Sequence, residues 1–268
     1  MKCLVTKCTL ILLLMINEQV FINAPLNFEK GVKIYPPTVK EVITQSYFPI
    51  FRKLLMSSQE DIEDDIEEKV KNKELKIDKI PTPLEFLFSS IAQDKRIEML
   101  AKEGFRFFTH EEVTFLIEQK IVIIGNLEKK LKTINNIDEL PILNETNFLK
   151  FQNLLRQSIG EKIQEPPDPN ENPRIKRMKA KARLRDKIKA KQASKNGEAP
   201  SLSTLLASIC CMGIGLTPLN IGEISYASVS AIMERYQAKE KYEVDIKSML
   251  AGAKDVKLKY WIRDLDKD

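Results

Sequence analysis

The chain has 268 residues, of which 43% are hydrophobic and 30% are charged, and its net charge is +5. The hydrophobic fraction is large enough to form a core, which excludes a chain that is disordered throughout. The single histidine, His110, leaves little for metal coordination or for a histidine-activated nucleophile. We therefore predict no catalytic residue, no metal site and no cofactor, and we expect that the protein is not an enzyme.

The composition favours helices, because glycine is scarce and the straight-chain residues lysine and glutamate are abundant. The predicted fold is mainly α with small β elements. We expect an N-terminal helical domain with a short strand pair, a basic linker helix and a small C-terminal helical domain. The cysteines are Cys3, Cys8 and the adjacent pair Cys210 and Cys211, and none has zinc-site spacing. They are predicted to be reduced, as in a cytosolic protein.

Residues 1–16 form an apolar N-terminal extension. Lys2, Lys7 and the apolar run Leu10–Ile16 resemble a secretory signal. The run is shorter than the roughly 20 residues of a membrane span, and no small-x-small cleavage site follows it. The alternative is that translation begins at Met15. We expect no membrane partner.

Residues 17–160 are predicted to form the N-terminal domain. Alternating apolar residues at 17–35 predict a strand pair around a turn at Asn27–Gly31. Thr38, after two prolines, and Glu41 form a capping-box pattern that starts a helix. The acid-rich segment 57–74 is predicted to be a solvated helix or loop rather than a calcium site, because it lacks the glycine of an EF-hand turn.

Residues 80–118 give the densest core pattern. A buried helix is predicted to end at Gly104, followed by a short extended piece with Phe105, Phe107 and Phe108. These phenylalanines are expected in the core rather than in base stacking. His110 is placed at a helix start. A buried strand is predicted at 120–126, and a further helix starts at Asn144 or Thr146, so that the domain ends near Gly160.

Residues 161–200 are predicted to be a linker, proline-rich at first and then strongly basic. Residues 171–195 contain eleven Lys or Arg and two acidic residues. The segment can be a solvated or intramolecular helix, a protein-binding helix or a nucleic-acid-binding helix that uses residues 174–195. The basic residues of interest are Arg174, Lys176, Arg177, Lys179, Lys181, Arg183, Arg185 and Lys187.

Residues 201–268 are predicted to form a C-terminal helical domain that binds a partner. A short apolar helix, 202–212, ends at Gly213, and a long helix, 225–250, starts at Ser225 or Ser228 and ends before Gly252. Apolar and aromatic residues at helical spacing predict a contact surface. Its predicted residues are Met233, Tyr236, Tyr242, Ile246, Met249 and Trp261. The alternative is that these side chains pack on helix 202–212 within the same domain.

Three stretches resemble a family of tail proteins from long-tailed bacteriophages of Gram-positive hosts, described as tail assembly chaperones. They are KGVKIYPPTVKEVI, EGFRFFTHEEV and YEVDIKSMLAGAKDVKLKYWIRDL. The resemblance covers residues 17–265 and carries over no functional residue. It implies a role in tail assembly, in which the protein shields the tape-measure protein until tail-tube subunits polymerise around it.

Two other functions stay open. A structural virion protein of the tail or baseplate would have the same fold but would remain in the particle. A nucleic-acid-binding protein would use the basic segment. The chaperone would act in the host cytoplasm, whereas the structural protein would be found in the virion tail.

Overall fold

The computed structural model describes residues 18–71, 80–126, 139–165, 172–196, 200–254 and 256–262. They belong to two compact units, one within Met1–Pro166 together with Gly222–Ala227 and the other within Pro167–Ile221 together with Ser228–Asp268. Helices dominate both units, and two small antiparallel sheets complete the first. The predicted fold class, mainly α with small β elements, is confirmed. The N-terminal extension 1–16 lies outside the described residues.

The first unit combines α-helices with short strands in its described part. In chain order they are β1 (Leu26–Asn27), β2 (Lys33–Ile34), α1 (Val39–Thr44), α2 (Phe48–Met56), α3 (Gln59–Lys71), α4 (Pro83–Gln93), α5 (Lys95–Thr109), β3 (Val113–Leu116), β4 (Ile121–Ile124), β5 (Ile142–Leu143) and α6 (Phe148–Ser158). The second unit contains α7 (Pro173–Lys195), α8 (Leu202–Cys211) and most of α9 (Tyr226–Leu250). Helix α9 begins with two residues of the first unit and continues into the second.

The N-terminal part of the first unit follows the local sequence signals. Strands β1 and β2 pair antiparallel, with Leu26 opposite Ile34, as predicted. Thr38 and Glu41 form the predicted capping box, since the Thr38 hydroxyl accepts from the Glu41 N–H and the Glu41 carboxylate accepts from the Thr38 N–H. Two N–H groups at the start of α1 thereby gain acceptors. The acid-rich segment is helical as far as described, because α3 buries Ile62 and Ile66.

Helix α5 corrects two predictions. Gly104 does not end the helix, and Phe105, Phe107 and Phe108 are helical rather than extended. The reason is packing: a Cβ atom at Gly104 would lie 3.1 Å from Leu55 Cδ1 and 3.2 Å from the Phe51 ring. The glycine therefore lets α2 approach α5 closely, and the helix continues through it. Phe105 and Phe108 are fully buried, which confirms their place in the core.

His110 ends α5 and does not start a helix, which corrects the prediction. Its backbone is left-handed, with φ of 57°, and its N–H donates to the Arg106 carbonyl at 2.9 Å. Histidine adopts this conformation more readily than branched residues do. Its ring stacks on Tyr35, with ring centroids 4.1 Å apart.

A three-stranded antiparallel sheet in the order β3-β4-β5 follows α5. Strand β4 is the buried strand that the sequence predicted, whereas β3 and β5 were not predicted. Helix α6 starts later than Asn144 or Thr146, at Phe148 with Asn147 in the N-cap position. The Asn144 side chain instead accepts from the Thr146 N–H at 3.0 Å. Asn144 thus forms a local turn, because a short amide side chain competes with helical hydrogen bonding.

The hydrophobic core lies in the first unit. Helices α2, α5 and α6 surround it, and the rings of Phe105 and Phe151 stack at its centre with centroids 5.5 Å apart. The start of α9 belongs to this unit. The Tyr226 N–H donates to the Pro37 carbonyl at 2.8 Å, and Ser225 forms a β-bridge with Thr38. Ser225, rather than Ser228, therefore occupies the position before the helix.

Helices α8 and α9 are followed by the glycines that the sequence predicted, whereas the cap at the start of α8 was not predicted. Ser201 caps α8 by accepting from the Thr204 N–H at 3.1 Å. Gly213 and Gly252 have the positive φ angles, 70° and 89°, that a glycine after a helix allows. No helix in the described ranges is both long enough and apolar enough to cross a bilayer.

A candidate partner-binding surface in the second unit

Helices α8 and α9 line an open groove of about 600 Å³. Met233 and Tyr236 contribute from α9, so two of the six predicted contact residues lie in one groove. Ala207 from α8 and Met212, the residue after α8, add apolar lining, and Gln237 adds a polar group. Further lining residues are Thr204, Ser208, Cys211 and Glu240. The groove is mainly apolar, with polar groups that can orient a bound chain.

Tyr236 is positioned by a residue one turn further along α9. Its hydroxyl hydrogen-bonds to Glu240, and this bond, together with the negative charge of Glu240, raises the pKa of Tyr236. The raised pKa favours the neutral phenol, and Tyr236 lines the groove. Tyrosine in such a place combines apolar area with a polar end, which is typical of binding surfaces.

Two other predicted residues pack on the chain's own C-terminal tail. The Trp261 carbonyl accepts from Arg235 Nη1 at 2.7 Å, and this bond holds the tail against α9. The Tyr242 ring meets the Tyr260 ring edge to face, with centroids 5.6 Å apart. Tyr242 and Trp261 thus have contacts within the unit, and their role toward a partner stays a prediction.

The remaining two residues lie near the end of α9. Ile246 is half-buried, whereas Met249 is 44% exposed and its neighbour Leu250 is 83% exposed. From residue 230 to residue 250 no side chain of α9 is fully buried. In the described part of the second unit only Ile209, Ile221, Ser228 and Val229 are buried. The long helix therefore presents much of its apolar surface to solvent.

Sequence reasoning missed two residues that organise this surface. Arg235 lies between Met233 and Tyr236 and gave no signal, since a single arginine on a helix is usually solvated. Tyr260 is next to Trp261, and its aromatic side chain was the available signal. Cys210 and Cys211 are free thiols, as predicted, and Cys211 lines the groove. Cys3 and Cys8 lie outside the described residues.

The basic segment is an exposed helix, α7, with eleven Lys or Arg and one carboxylate, Asp186, so that its net charge is +10. Its cations form two rows at spacings of three or four residues, which place each row on one side of a helix. One row is Arg174, Arg177, Lys181, Arg185 and Lys189. The other row is Lys176, Lys179, Arg183 and Lys187. All four residues of the second row have interaction partners.

The first unit has a polar cleft of about 320 Å³ beside His110. Its charged groups already serve the fold. The Glu41 carboxylate accepts from Thr38, Arg106 lies 4.0 Å from Glu103, and His110 stacks on Tyr35. No three His, Cys, Asp or Glu side chains in the described ranges are grouped to hold a metal ion. The groove and the exposed apolar residues of α9 make the second unit the candidate functional site.

Comparison with protein families gives a match to the C-terminal part of the chain. Residues 190–266 match the family described as the YomV second domain. This segment is less than a third of the chain and includes α8, α9 and the tail that packs on α9. No curated protein and no solved structure matches the chain. The YomV family is phage-associated, so the match points to a phage origin for the protein.

Proposed function

We propose that the protein is a bacteriophage tail assembly factor that acts as a chaperone, by contact and without catalysis. Its partner is a helical tail protein, namely the tape-measure protein, whose apolar faces it covers in the host cytoplasm before the tail tube forms. The proposal joins the phage-associated match with the resemblance to tail assembly proteins. The second unit is the part that meets the partner.

The observation that carries this proposal is the poor burial of α9. A helix of 25 residues with no fully buried side chain after Val229 obtains little stability from its own unit. Helices in proteins are held chiefly by the packing of their apolar face. Burying one exposed Met or Leu side chain contributes about 1.5–3 kcal/mol. A partner that covers α9 therefore gains free energy at several positions.

The groove between α8 and α9 favours a helical partner. Its lining mixes apolar residues with small ones, such as Ala207 and Ser208, which allow close approach. An amphipathic helix places residues at positions i, i+3, i+4 and i+7 into a groove of this kind. A tape-measure protein, as a long helical molecule, offers many such faces.

Mass spectrometry of purified virions and of infected-cell lysate tests the proposed role. An assembly chaperone is abundant in the lysate and absent from particles. Persistence in particles at a fixed stoichiometry would instead identify a structural tail or baseplate protein. Location in the gene order is a second criterion, since a chaperone gene is expected beside the tape-measure gene.

A pair of alanine-to-arginine variants of the full chain tests the binding site. Ala207→Arg places a long charged side chain in the groove, whereas Ala231→Arg places it on an exposed part of α9 outside the groove. We expect Ala207→Arg to weaken binding to the tape-measure protein by at least about tenfold, which corresponds to about 1.4 kcal/mol. Ala231→Arg should bind as the unmodified protein does. Equal binding by both variants would refute the groove as the site.

A further inference from the structure

Helix α7 lies outside the groove, and its two rows of cations differ in their surroundings. Lys176, Lys179, Arg183 and Lys187 have interaction partners. The side chains of the other row form no ion pair and no hydrogen bond with any residue that the structure describes. That row, which we call the exposed row, consists of Arg174, Arg177, Lys181, Arg185 and Lys189, and all five are exposed. Lys176, Lys179 and Lys187 of the other row are exposed as well, so the two rows differ in their interaction partners. One side of α7 therefore presents a line of positive charge that the described residues do not compensate.

The geometry of the exposed row is regular. Arg174 and Lys189 are fifteen residues apart, so the line extends over about 22 Å at 1.5 Å per residue. The helix's only carboxylate, Asp186, projects from another side, because its spacing places it between the two rows. Three of the five cations are arginines, whose planar guanidinium groups bind phosphate through two parallel hydrogen bonds.

We propose that this face of α7 binds the phosphate backbone of nucleic acid without reading its sequence. A straight, evenly spaced line of cations complements a polymer of evenly spaced anions, since duplex DNA carries one negative charge per about 1.7 Å. This activity goes beyond the proposed chaperone function and uses a different helix. It needs no contact from the groove between α8 and α9.

An anionic membrane is a poorer fit to the same face. Membrane-surface helices separate a continuous apolar face from a charged one. Of the exposed large apolar residues of α7, Ile175, Met178, Leu184 and Ile188, the last three lie on the same side as the cations of the exposed row. Insertion of these side chains into lipid would also draw the neighbouring arginines out of water, which is unfavourable.

The salt dependence of DNA binding by the full chain tests the proposal. The probe is a labelled duplex of about 20 base pairs, longer than the row, because each base pair rises about 3.4 Å. Five phosphate contacts predict a slope of about −4.5 for log K against log salt, so affinity falls about 500-fold between about 50 and 200 mM salt. The affinity of the triple variant Arg177→Gln, Lys181→Gln, Arg185→Gln for the duplex should fall only about tenfold over this range of salt, because two contacts remain.

Matched variants distinguish an effect of the exposed row from an effect of the total charge of α7. Lys176→Gln, Lys179→Gln, Lys187→Gln removes the same charge from the other row and should keep the steep slope. The double variant Arg177→Lys, Arg185→Lys keeps the charge of the exposed row and should also keep the steep slope. Circular dichroism of each variant confirms that α7 remains helical.

Three results would overturn the proposal. One is an equal loss of slope from both triple variants, which would show that net charge alone acts. Another is no binding of the duplex at about 50 mM salt. The third is binding to phosphatidylglycerol vesicles without binding to the duplex, which would identify a membrane surface instead.

Discussion

Gly104 shows how a single residue determines the packing of two helices. The space beside it is filled by Phe51 and Leu55, which are both fully buried. Alanine is a better helix former than glycine by about 1 kcal/mol, but overpacking a core costs about 1–3 kcal/mol. We expect Gly104→Ala to destabilise the protein by about 1 kcal/mol in urea denaturation. Glu103→Ala, at the exposed neighbouring position, is the control, and a stabilised Gly104→Ala would mean that α2 can move away.

Gln152 is a second residue whose side chain holds two elements together. Helix α2 ends at Met56, and its last carbonyl groups have no helical partner. Gln152 Nε2 donates to the Leu55 carbonyl at 3.0 Å and to the Ser57 carbonyl at 3.2 Å, and Arg156 donates to the Met56 carbonyl. Side chains of α6 therefore cap α2.

Removing this cap should be costly. Gln152→Met keeps the side-chain volume but leaves two carbonyl groups without their buried donor. We expect a loss of about 2 kcal/mol in the free energy of unfolding, because an unsatisfied buried group costs about 1–3 kcal/mol. Lys150 lies on the same helix as Gln152 and forms an exposed ion pair with Glu29. Lys150→Met should therefore lower the free energy of unfolding by less than about 1 kcal/mol. Equal losses would argue against the cap.

At the scale of elements, α9 and α5 are helices with opposite surroundings. Helix α5 buries Ala101, Phe105 and Phe108 completely, whereas α9 buries none of its side chains after Val229. Local opening is easier where few apolar contacts hold an element. We expect the amides of residues 232–250 to exchange with solvent at least about a hundredfold faster than those in the middle of α5, as measured by hydrogen exchange.

The partner provides the control for this prediction. Addition of the tape-measure protein should slow exchange in α8 and α9 and leave α5 unchanged, since only the covered helices gain contacts. Equal protection of α5 and free α9 would contradict the view that α9 is weakly held.

Elements that local signals determine were predicted, and elements that tertiary contacts determine were not. The capping box at Thr38, the β1–β2 pair and the glycine after α9 depend on residues a few positions apart. The continuation of α5 through Gly104 depends on Phe51, which is distant in sequence. Strand β5 has two residues and pairs with β4 across a long separation, so no periodic pattern indicates it.

The candidate site was predictable in the same partial sense. Helical spacing identified Met233 and Tyr236, which share the groove. The return of the tail onto α9 was not predictable, because the bond between Arg235 and Trp261 joins residues that no local rule relates. The two faces of α7 follow from spacing alone. Which of its cations have partners required the structure.

At the scale of the whole molecule, the two units differ in how they are stabilised. The hydrophobic core cluster lies in the first unit, whereas the second buries few side chains in its described part. The protein has one tryptophan, Trp261, which belongs to the second unit. Its fluorescence therefore reports on that unit, while far-UV circular dichroism reports on the helices of both.

We expect the two signals to separate in urea, because separate compact units can unfold in separate transitions. The Trp261 fluorescence transition should have its midpoint about 1 M urea below that of the main circular dichroism transition, because the second unit buries less apolar surface. Gln152→Met, which weakens the first unit, should lower the circular dichroism midpoint and leave the fluorescence midpoint in place. Coincident transitions in the unmodified protein and in Gln152→Met would show that the two units unfold as one, which would contradict the view that the second unit is the less stable of the two.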